Sequence, residues 1–335
     1  MTDIVHYQNN TIPLQGSRVV VFGGTGFIGS HLVETLVKQG YEVTAFCQYN
    51  SWGSYGWLDN IDKETKGAIE FILGDIRDTN SVYEALKGKE IVYHLAALIA
   101  IPYSYTAAES YVQTNVIGTL NVLQAANRID SLRVIHTSTS ETYGTAQFVP
   151  ITEKHPINAQ SPYAASKVGA DQLAISFWRS HKTPVTVLRP FNTYGPRQSN
   201  RAVIPTIITQ IATGQNKIEL GKITPTRDFN YVQDTCNAFT AVGRYDNTIG
   251  EVINCASNFE ISIEETARVI AEVMGKNIEI VSVEERMRPK DSEVERLFGD
   301  NTLLKTKTDW EPKYGGLEGF KKGIKATAAW FKDKK

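Results

Sequence analysis

Arg18-Val19-Val20-Val21-Phe22-Gly23-Gly24-Thr25-Gly26-Phe27-Ile28-Gly29 is the stretch that decides the fold. RVVVF is β-branched and aromatic without polar alternation, which predicts a strand covered on both faces. Ile28–Gln39 has helical period and stops at Gly40. Between them, glycines at 23, 26 and 29 carry a strand straight into a helix as GxxGxxG. Gly23 suits the tight turn, Gly26 lets a ligand approach the backbone, and Gly29 permits close packing of helix on strand. With Thr25, Phe27 and Ile28, this loop offers free N–H groups and the positive end of a helix dipole to a pyrophosphate.

Outward from this unit the rhythm repeats. Glu42–Cys47, Ala68–Leu73, Ile91–Leu95, Arg133–Ser138 and Val185–Leu188 read as strands, separated by helical patterns at Ser81–Leu86, Tyr111–Asn127 and Ala164–His181. Such alternation predicts an α/β fold: a Rossmann-like, doubly wound parallel sheet. After Arg189-Pro190 the pattern becomes less regular, with helices at Ile204–Thr213, Ile263–Met274 and Leu317–Lys332 and a strand at Ile278–Val283. Residues 1–188 are therefore read as the dinucleotide-binding domain, with segments near 229–256 returning to it. Residues 189–335 are read as a smaller C-terminal α/β domain that binds substrate over the carboxyl ends of the strands.

Composition excludes several classes. The 335 residues are 41% hydrophobic and 21% charged, enough for a large core. Lys and Arg total 35 against 36 Asp and Glu, a net charge of −1, which offers no polycationic face to nucleic acid or an anionic membrane. Cys47, Cys236 and Cys255 are far apart, form no zinc pattern and suggest a reducing compartment; no metal site is read. No apolar run approaches the ~20 residues of a membrane helix, and MTDIVHYQNNTIPLQG lacks the pattern of a signal peptide. A cytoplasmic enzyme is the expectation.

Further cofactor contacts are read at strand ends. Asp75, followed by Ile76, is placed to accept from an adenine amino group. The small residues after Leu95, Ala96 and Ala97, let a cofactor lie against the backbone. Gln48, Tyr49 and Asn50 end the second strand, with no carboxylate for a ribose 2′-hydroxyl and no arginine for a 2′-phosphate. NAD is favoured because nothing basic stands there, and NADP stays open.

Ser161-Pro162-Tyr163-Ala164-Ala165-Ser166-Lys167 reads as a helix start, with Ser161 as cap. Tyr163 and Lys167 share a face at i, i+4. A tyrosine with a reference pKa near ~10 is a poor base, but a nearby ammonium, a positive nicotinamide ring and the helix N-terminus all favour its phenolate. Ser138-Thr139-Ser140-Glu141-Thr142-Tyr143-Gly144 closes the preceding strand at the same sheet edge. Thr139 can share a proton with Tyr163, and Glu141 is a candidate general base.

Together with RPFNTYGPRQ (Arg189–Gln198) and TRDFNYVQD (Thr226–Asp234), these motifs resemble the extended short-chain dehydrogenase/reductase superfamily over essentially the whole chain. Tyr49-Asn50-Ser51, Gly56-Trp57-Leu58-Asp59, HLAALIAIPYSY (His94–Tyr105), RPKDSEVERL (Arg288–Leu297) and WEPKYGGLEGF (Trp310–Phe320) look like the nucleotide-sugar 4,6-dehydratases of the legionaminic-acid pathway. The resemblance implies a tightly held nicotinamide cofactor and a homodimer joined by a four-helix bundle from helices near 111–127 and 164–181. It implies that Thr139, Ser140 and Glu141 occupy the dehydratase position, where dTDP-glucose dehydratases resemble Thr-Asp-Glu. Ser140 departs from that pattern, which leaves the acid for the C6 hydroxyl open, with Glu141 available for both steps. Lysine at the position of Glu141 marks C5-inverting relatives, so glutamate implies retention. Residues like Asn192, Arg227 and Arg288 meet the nucleotide diphosphate in such families, and an arginine fork suits phosphate oxygens. The expectation is a 4,6-dehydratase acting on an NDP-N-acetylglucosamine. UDP-glucuronate decarboxylase, 4-epimerase and a non-catalytic sugar-nucleotide-binding protein are the alternatives.

Overall fold

In the computed structural model of the protein, residues 16–130 and 132–333 are described, and the N-terminal stretch read above for a leader lies outside them apart from Gly16. The strands β1 (Arg18–Phe22), β2 (Glu42–Gln48), β3 (Ile69–Gly74), β4 (Ile91–His94), β5 (Arg133–Thr137) and β6 (Val185–Pro190) lie within two residues of the sequence reading. They join Val252–Cys255 in a seven-stranded sheet ordered Val252–Cys255, β6, β5, β4, β1, β2, β3. Every pairing is parallel. The chain builds outward from β1 to β3, then returns across β1 to start β4. That reversal opens a crevice at the carboxyl ends of β1 and β4, where ligands of such sheets bind.

The alternating side chains of β1 explain its unbroken apolar run. Val19 and Val21 enter one core, with Leu32 and Leu36 of the helix Phe27–Lys38 and Phe239 and Val242 of the helix Val232–Arg244. Val20 and Phe22 enter a second core, with Val82, Leu86 and Val122 from helices on the other face. Neither face of the strand meets water, so neither needs a polar residue.

Three local readings need correction. Tyr111–Asn127 is not one regular helix: Ala108–Tyr111 and Gly118–Ala126 are α-helical, and Val112–Ile117 between them is a π-helical turn. The helix Val232–Arg244 and the strand Val252–Cys255 were not assigned from the pattern. Buried Asp234, Thr235 and Thr240 interrupt the apolar periodicity of that helix, although it packs against Phe27–Lys38, β5 and β6. Finally, the region after β6 holds more strand than expected. Asn192–Tyr194, Thr226–Tyr231 and Glu260–Ser262 form one small sheet, and Lys217–Leu220 pairs with Glu279–Ser282. Buried Asp228 fastens that region, accepting from Ser257 N at 2.8 Å, Ser257 Oγ at 2.6 Å and Asn258 N at 3.2 Å. Ser262 and Glu265 close a reciprocal capping box on the helix Ile263–Met274.

Candidate active site

A cleft of about 720 Å³ lies over the carboxyl ends of the central strands. Its floor is the glycine loop. Gly23 has φ +82°, and a Cβ there would stand 2.8 Å from Ala96 N. A Cβ on Gly29 would fall 2.1 Å from Gly23 O. Both positions therefore exclude any side chain, because loop, strand end and helix meet backbone to backbone. Above Gly26 only Gly23 O comes near, at 3.4 Å, so its outer face is open. No side chain caps the helix Phe27–Lys38, and its first turn carries no acid, which leaves its positive end to a ligand. Thr25, Phe27, Ile28, Gln48, Asp75, Ile76, Leu95, Ala96 and Ala97 line the same cleft. A dinucleotide fits these residues: a bare backbone cradle and an uncapped helix end open into one cleft.

Tyr49 and Asn50 stand apart from that lining. Tyr49 is 69% exposed. The Asn50 side chain is spent on its own loop, accepting from Trp52 N at 3.1 Å and Ser54 N at 3.2 Å. No arginine ends the second strand, but one follows the third. Arg77 lines the cleft and grips Asp75 bidentately, at 2.6 Å from Nη2 to Oδ2 and 3.0 Å from Nε to Oδ1. The guanidinium holds the Asp75 carboxyl below the usual range, so it stays an acceptor.

At the centre of the cleft the helix Pro162–His181 presents Tyr163 and Lys167. Ser161 caps it, its Oγ accepting from Ala164 N at 3.1 Å. Lys167 is 4% exposed and donates from Nζ to the Thr137 carbonyl at 2.5 Å. Burial pulls its pKa down to about 8, against the opposing pull of Asp171. The ammonium thus still predominates at neutral pH. Tyr163 differs from the expectation: burial pushes its hydroxyl above the ordinary value, more than its hydrogen bond with Thr139 lowers it. The Glu141 charge adds to the rise. In the protein alone Tyr163 is therefore a phenol. Thr139, Ser140 and Glu141 line the cleft beside it. Thr139 caps the 3-10 turn Ser140–Tyr143, accepting from Glu141 N at 3.2 Å, and Glu141 is 8% exposed.

Asn192 and Arg288 line the cleft, and Arg227 does not. Asn192 Oδ1, Gln198 Oε1 and Arg288 Nη1 are buried polar atoms with no hydrogen-bond partner. Such atoms are costly unless a ligand satisfies them. Arg227, 6% exposed, points instead to the Thr226 carbonyl at 2.8 Å and to Glu293 at 3.2 Å.

Two supports of the site escaped the sequence reading. Asn115 lies on the π-helical turn, where it accepts from Leu98 N at 2.8 Å and donates to Leu98 O and Ser166 Oγ, both at 2.9 Å. It ties the strand-end loop to the helix Pro162–His181. A polar residue on the buried side of an apolar helix was its one visible sign. Asp171, one turn beyond Lys167, accepts from Ser138 Oγ at 2.6 Å, Arg189 Nη2 at 2.9 Å and His136 Nε2 at 3.2 Å. Arg189 continues to Tyr143 Oη at 2.9 Å, which donates to Asn254 Oδ1 at 2.8 Å. β5, β6, the helix Pro162–His181 and the Ser140–Tyr143 turn are thereby locked together.

Asp171→Asn is expected to cost about 3–5 kcal/mol of stability at neutral pH, because Arg189 is left buried with its charge unpaired. The folded Asp171 carboxyl lies below its ordinary value, burial being outweighed by its donors. Its contribution is therefore complete above the unfolded value near ~4 and is lost as pH falls through the lower folded value. Denaturant melts at pH 7 and pH 3 should show the deficit shrinking in acid; a constant deficit would show that charge is not its origin.

A parallel sheet with a glycine cradle at its switch point and Thr, Tyr and Lys around one strand end defines an extended short-chain dehydrogenase/reductase. The chain belongs to the family described as GDP-mannose 4,6 dehydratase, which matches it over residues 20–324. Among its relatives is the low-salt glycan biosynthesis protein Agl12 of Haloferax volcanii, 33% identical over 93% of this chain and 98% of that one. The UDP-N-acetyl-α-D-glucosaminuronate decarboxylase of Bacillus cytotoxicus is also 33% identical, over 94% of this chain and 98% of its own. The crystal structure of dTDP-glucose 4,6-dehydratase from Bacillus anthracis in complex with NAD superposes with a TM-score of 0.81 at 28% identity, covering 95% of this chain and 97% of that one.

Proposed function

We propose that the protein is a nucleotide-sugar 4,6-dehydratase that converts an NDP-hexose, an NDP-N-acetylglucosamine in our reading, to its 4-keto-6-deoxy product. The observation that carries this is Glu141, a buried carboxylate set in the cleft beside Tyr163. Tyr163, acting as the phenolate after giving its own proton to solvent, takes the proton of the C4 hydroxyl and becomes the phenol hydrogen-bonded to Thr139. Lys167, still largely an ammonium, favours that phenolate by its positive charge. NAD, held by the glycine loop and the strand-end residues lining the cleft, would supply the hydride acceptor for C4 and the hydride donor for C6, so no external oxidant would be consumed. The 4-ketone acidifies C5–H, and Glu141 removes that proton. Ser140 has no acidic proton to lend, so the proton Glu141 has gained goes to the departing C6 hydroxyl. Water leaves, the new C5=C6 bond conjugates with the ketone, and as hydride returns to C6 a solvent-exchangeable proton adds at C5. Holding the sugar in one place through all three steps is the proximity effect.

NAD rather than NADP is supported by the NAD in the Bacillus anthracis structure and by the engagement of Arg77 with Asp75. An N-acetylhexosamine is supported by the resemblance and by the N-acetylated substrate in the Bacillus cytotoxicus relative's name. Half-buried Val116, Ile117, Leu120 and Leu173 support a homodimer through the helices near 111–127 and 164–181, and a cytoplasmic location accords with the reduced, buried cysteines. Among the described residues, no helix is long and apolar enough to cross a membrane.

The same decarboxylase relative favours a second reading, removal of a C5 carboxyl after C4 oxidation. A panel of NDP-sugars and NDP-uronates, with products weighed by mass spectrometry, decides between them. Loss of water supports the dehydratase, loss of carbon dioxide the decarboxylase, and unchanged mass with altered C4 configuration an epimerase. In the same assay, Arg288→Ala is expected to raise KM roughly tenfold or more with little change in kcat, through loss of a charge-assisted phosphate contact. An unchanged KM would make Arg288 a surface residue.

A further inference from the structure

We propose that Glu293 is a built-in surrogate for the substrate's diphosphate, occupying the arginine clamp in the ligand-free protein and setting nucleotide affinity by competing for it. The proposal rests on the reading that Arg227 and Arg288 together meet the substrate's diphosphate. A single oxygen, Glu293 Oε1, stands 3.2 Å from Arg227 Nη2 and 3.9 Å from Arg288 Nη1. One carboxylate therefore neutralises two guanidiniums, as a phosphate oxygen does. Arg227 is in hydrogen-bond reach of Glu293 and outside the cleft lining, whereas Arg288, paired only at 3.9 Å, lines the cleft with no hydrogen bond on Nη1.

The Glu293 backbone is pinned. Gln160, next to the cap of the catalytic helix, donates from Nε2 to the Glu293 carbonyl at 3.2 Å and the Asp291 carbonyl at 3.1 Å. Ser292 Oγ returns a bond to the Gln160 carbonyl at 2.7 Å and meets Tyr105 Oη at 2.6 Å. The segment cannot withdraw without breaking these bonds, so an arriving diphosphate must either turn the Glu293 side chain aside or bind next to a fixed negative charge. Either course lowers affinity. Glu141 also acts on Arg227 by its charge, but it sits on the Ser140–Tyr143 turn and makes no ion pair within 4 Å with either arginine, whereas Glu293 pairs with both. Glu293 is thus a positioning residue with two opposed effects: it stabilises the empty clamp and weakens the filled one.

The test uses the whole protein as purified, with Glu293→Gln and Glu293→Asp. Titration calorimetry measures binding of inorganic pyrophosphate, UDP, dTDP and GDP, and thermal melts measure ligand-free stability. Glu293→Gln should bind pyrophosphate and its preferred nucleoside diphosphate on the order of tenfold more tightly, the worth of one charge-assisted contact, while melting at lower temperature without ligand. Glu293→Asp, with its charge drawn back by one methylene, should shift the same way by less, and decides the matter should the glutamine variant not fold. Equal or weaker binding in the variants overturns the proposal, since a merely structural Glu293 lowers stability and affinity together. A wild-type protein that binds none of the probes overturns the clamp itself. Binding that weakens on substitution overturns only the competition.

Discussion

Tyr163→Phe is expected to stop the reaction at its first step, with turnover falling by about 10²–10⁴, the usual worth of a general base. The substitution removes one oxygen and keeps the ring, which packs edge-on to Tyr111 with centroids 6.3 Å apart. Fold and nucleotide binding should therefore survive, and the loss should appear in kcat with KM little changed. The physical reason is that oxidation at C4 must dispose of a hydroxyl proton as the hydride departs. Thr139 is the other hydroxyl beside Tyr163, and it has no base behind it to pass that proton on. Quenched reactions should contain neither a 4-ketone nor a dehydrated product. Because burial raises the Tyr163 pKa in the protein alone, wild-type activity should climb with pH through the neutral range as the phenolate becomes accessible. A variant that turns over at the wild-type rate would remove Tyr163 from the chemistry.

The sheet and the glycine cradle were legible because each rests on local pattern. An unbroken apolar run between a turn glycine and a helix has few other meanings, and Gly23 and Gly29 are positions where backbone meets backbone. Tyr163 and Lys167 were legible for a similar reason, one helical turn apart behind a capping serine. What stayed hidden depends on contacts between distant residues. Asp171 looked like an ordinary polar position on a helix until Ser138, His136 and Arg189 came in from two strands. Asn115 reads as one more helical residue, because a π-helical turn leaves no mark in a 3.6-residue period. Arg227 carried the right charge in the right motif, yet its direction was set by Glu293, 66 residues away. Asn50 illustrates the converse: its polar side chain sits at the strand end where a cofactor contact is expected, and local turn bonds claim it first.

Glu141→Gln should part elimination from oxidation. The amide keeps the size and much of the hydrogen bonding of the carboxylate, and the Ser140–Tyr143 turn that carries it is capped by Thr139 rather than by the Glu141 side chain. Geometry at Tyr163 should persist, so C4 oxidation can still proceed. Removal of the C5 proton cannot, and overall dehydration should fall by about 10²–10⁴. Quenching with hydroxylamine should then trap a 4-keto sugar that retains its C6 oxygen, a species absent from Tyr163→Phe. Run in heavy water, wild-type enzyme should leave deuterium at C5 of the product, since the proton taken there is replaced from exchangeable groups. Glu141→Gln should leave recovered substrate unlabelled at C5. The pairing of results matters more than either rate. Ketone without elimination assigns Glu141 to C5, whereas loss of both would make it a partner of Tyr163, whose titration its charge already influences. Full dehydratase activity in Glu141→Gln would reduce Glu141 to a loop carboxylate and take from the dehydratase reading the residue on which it chiefly stands.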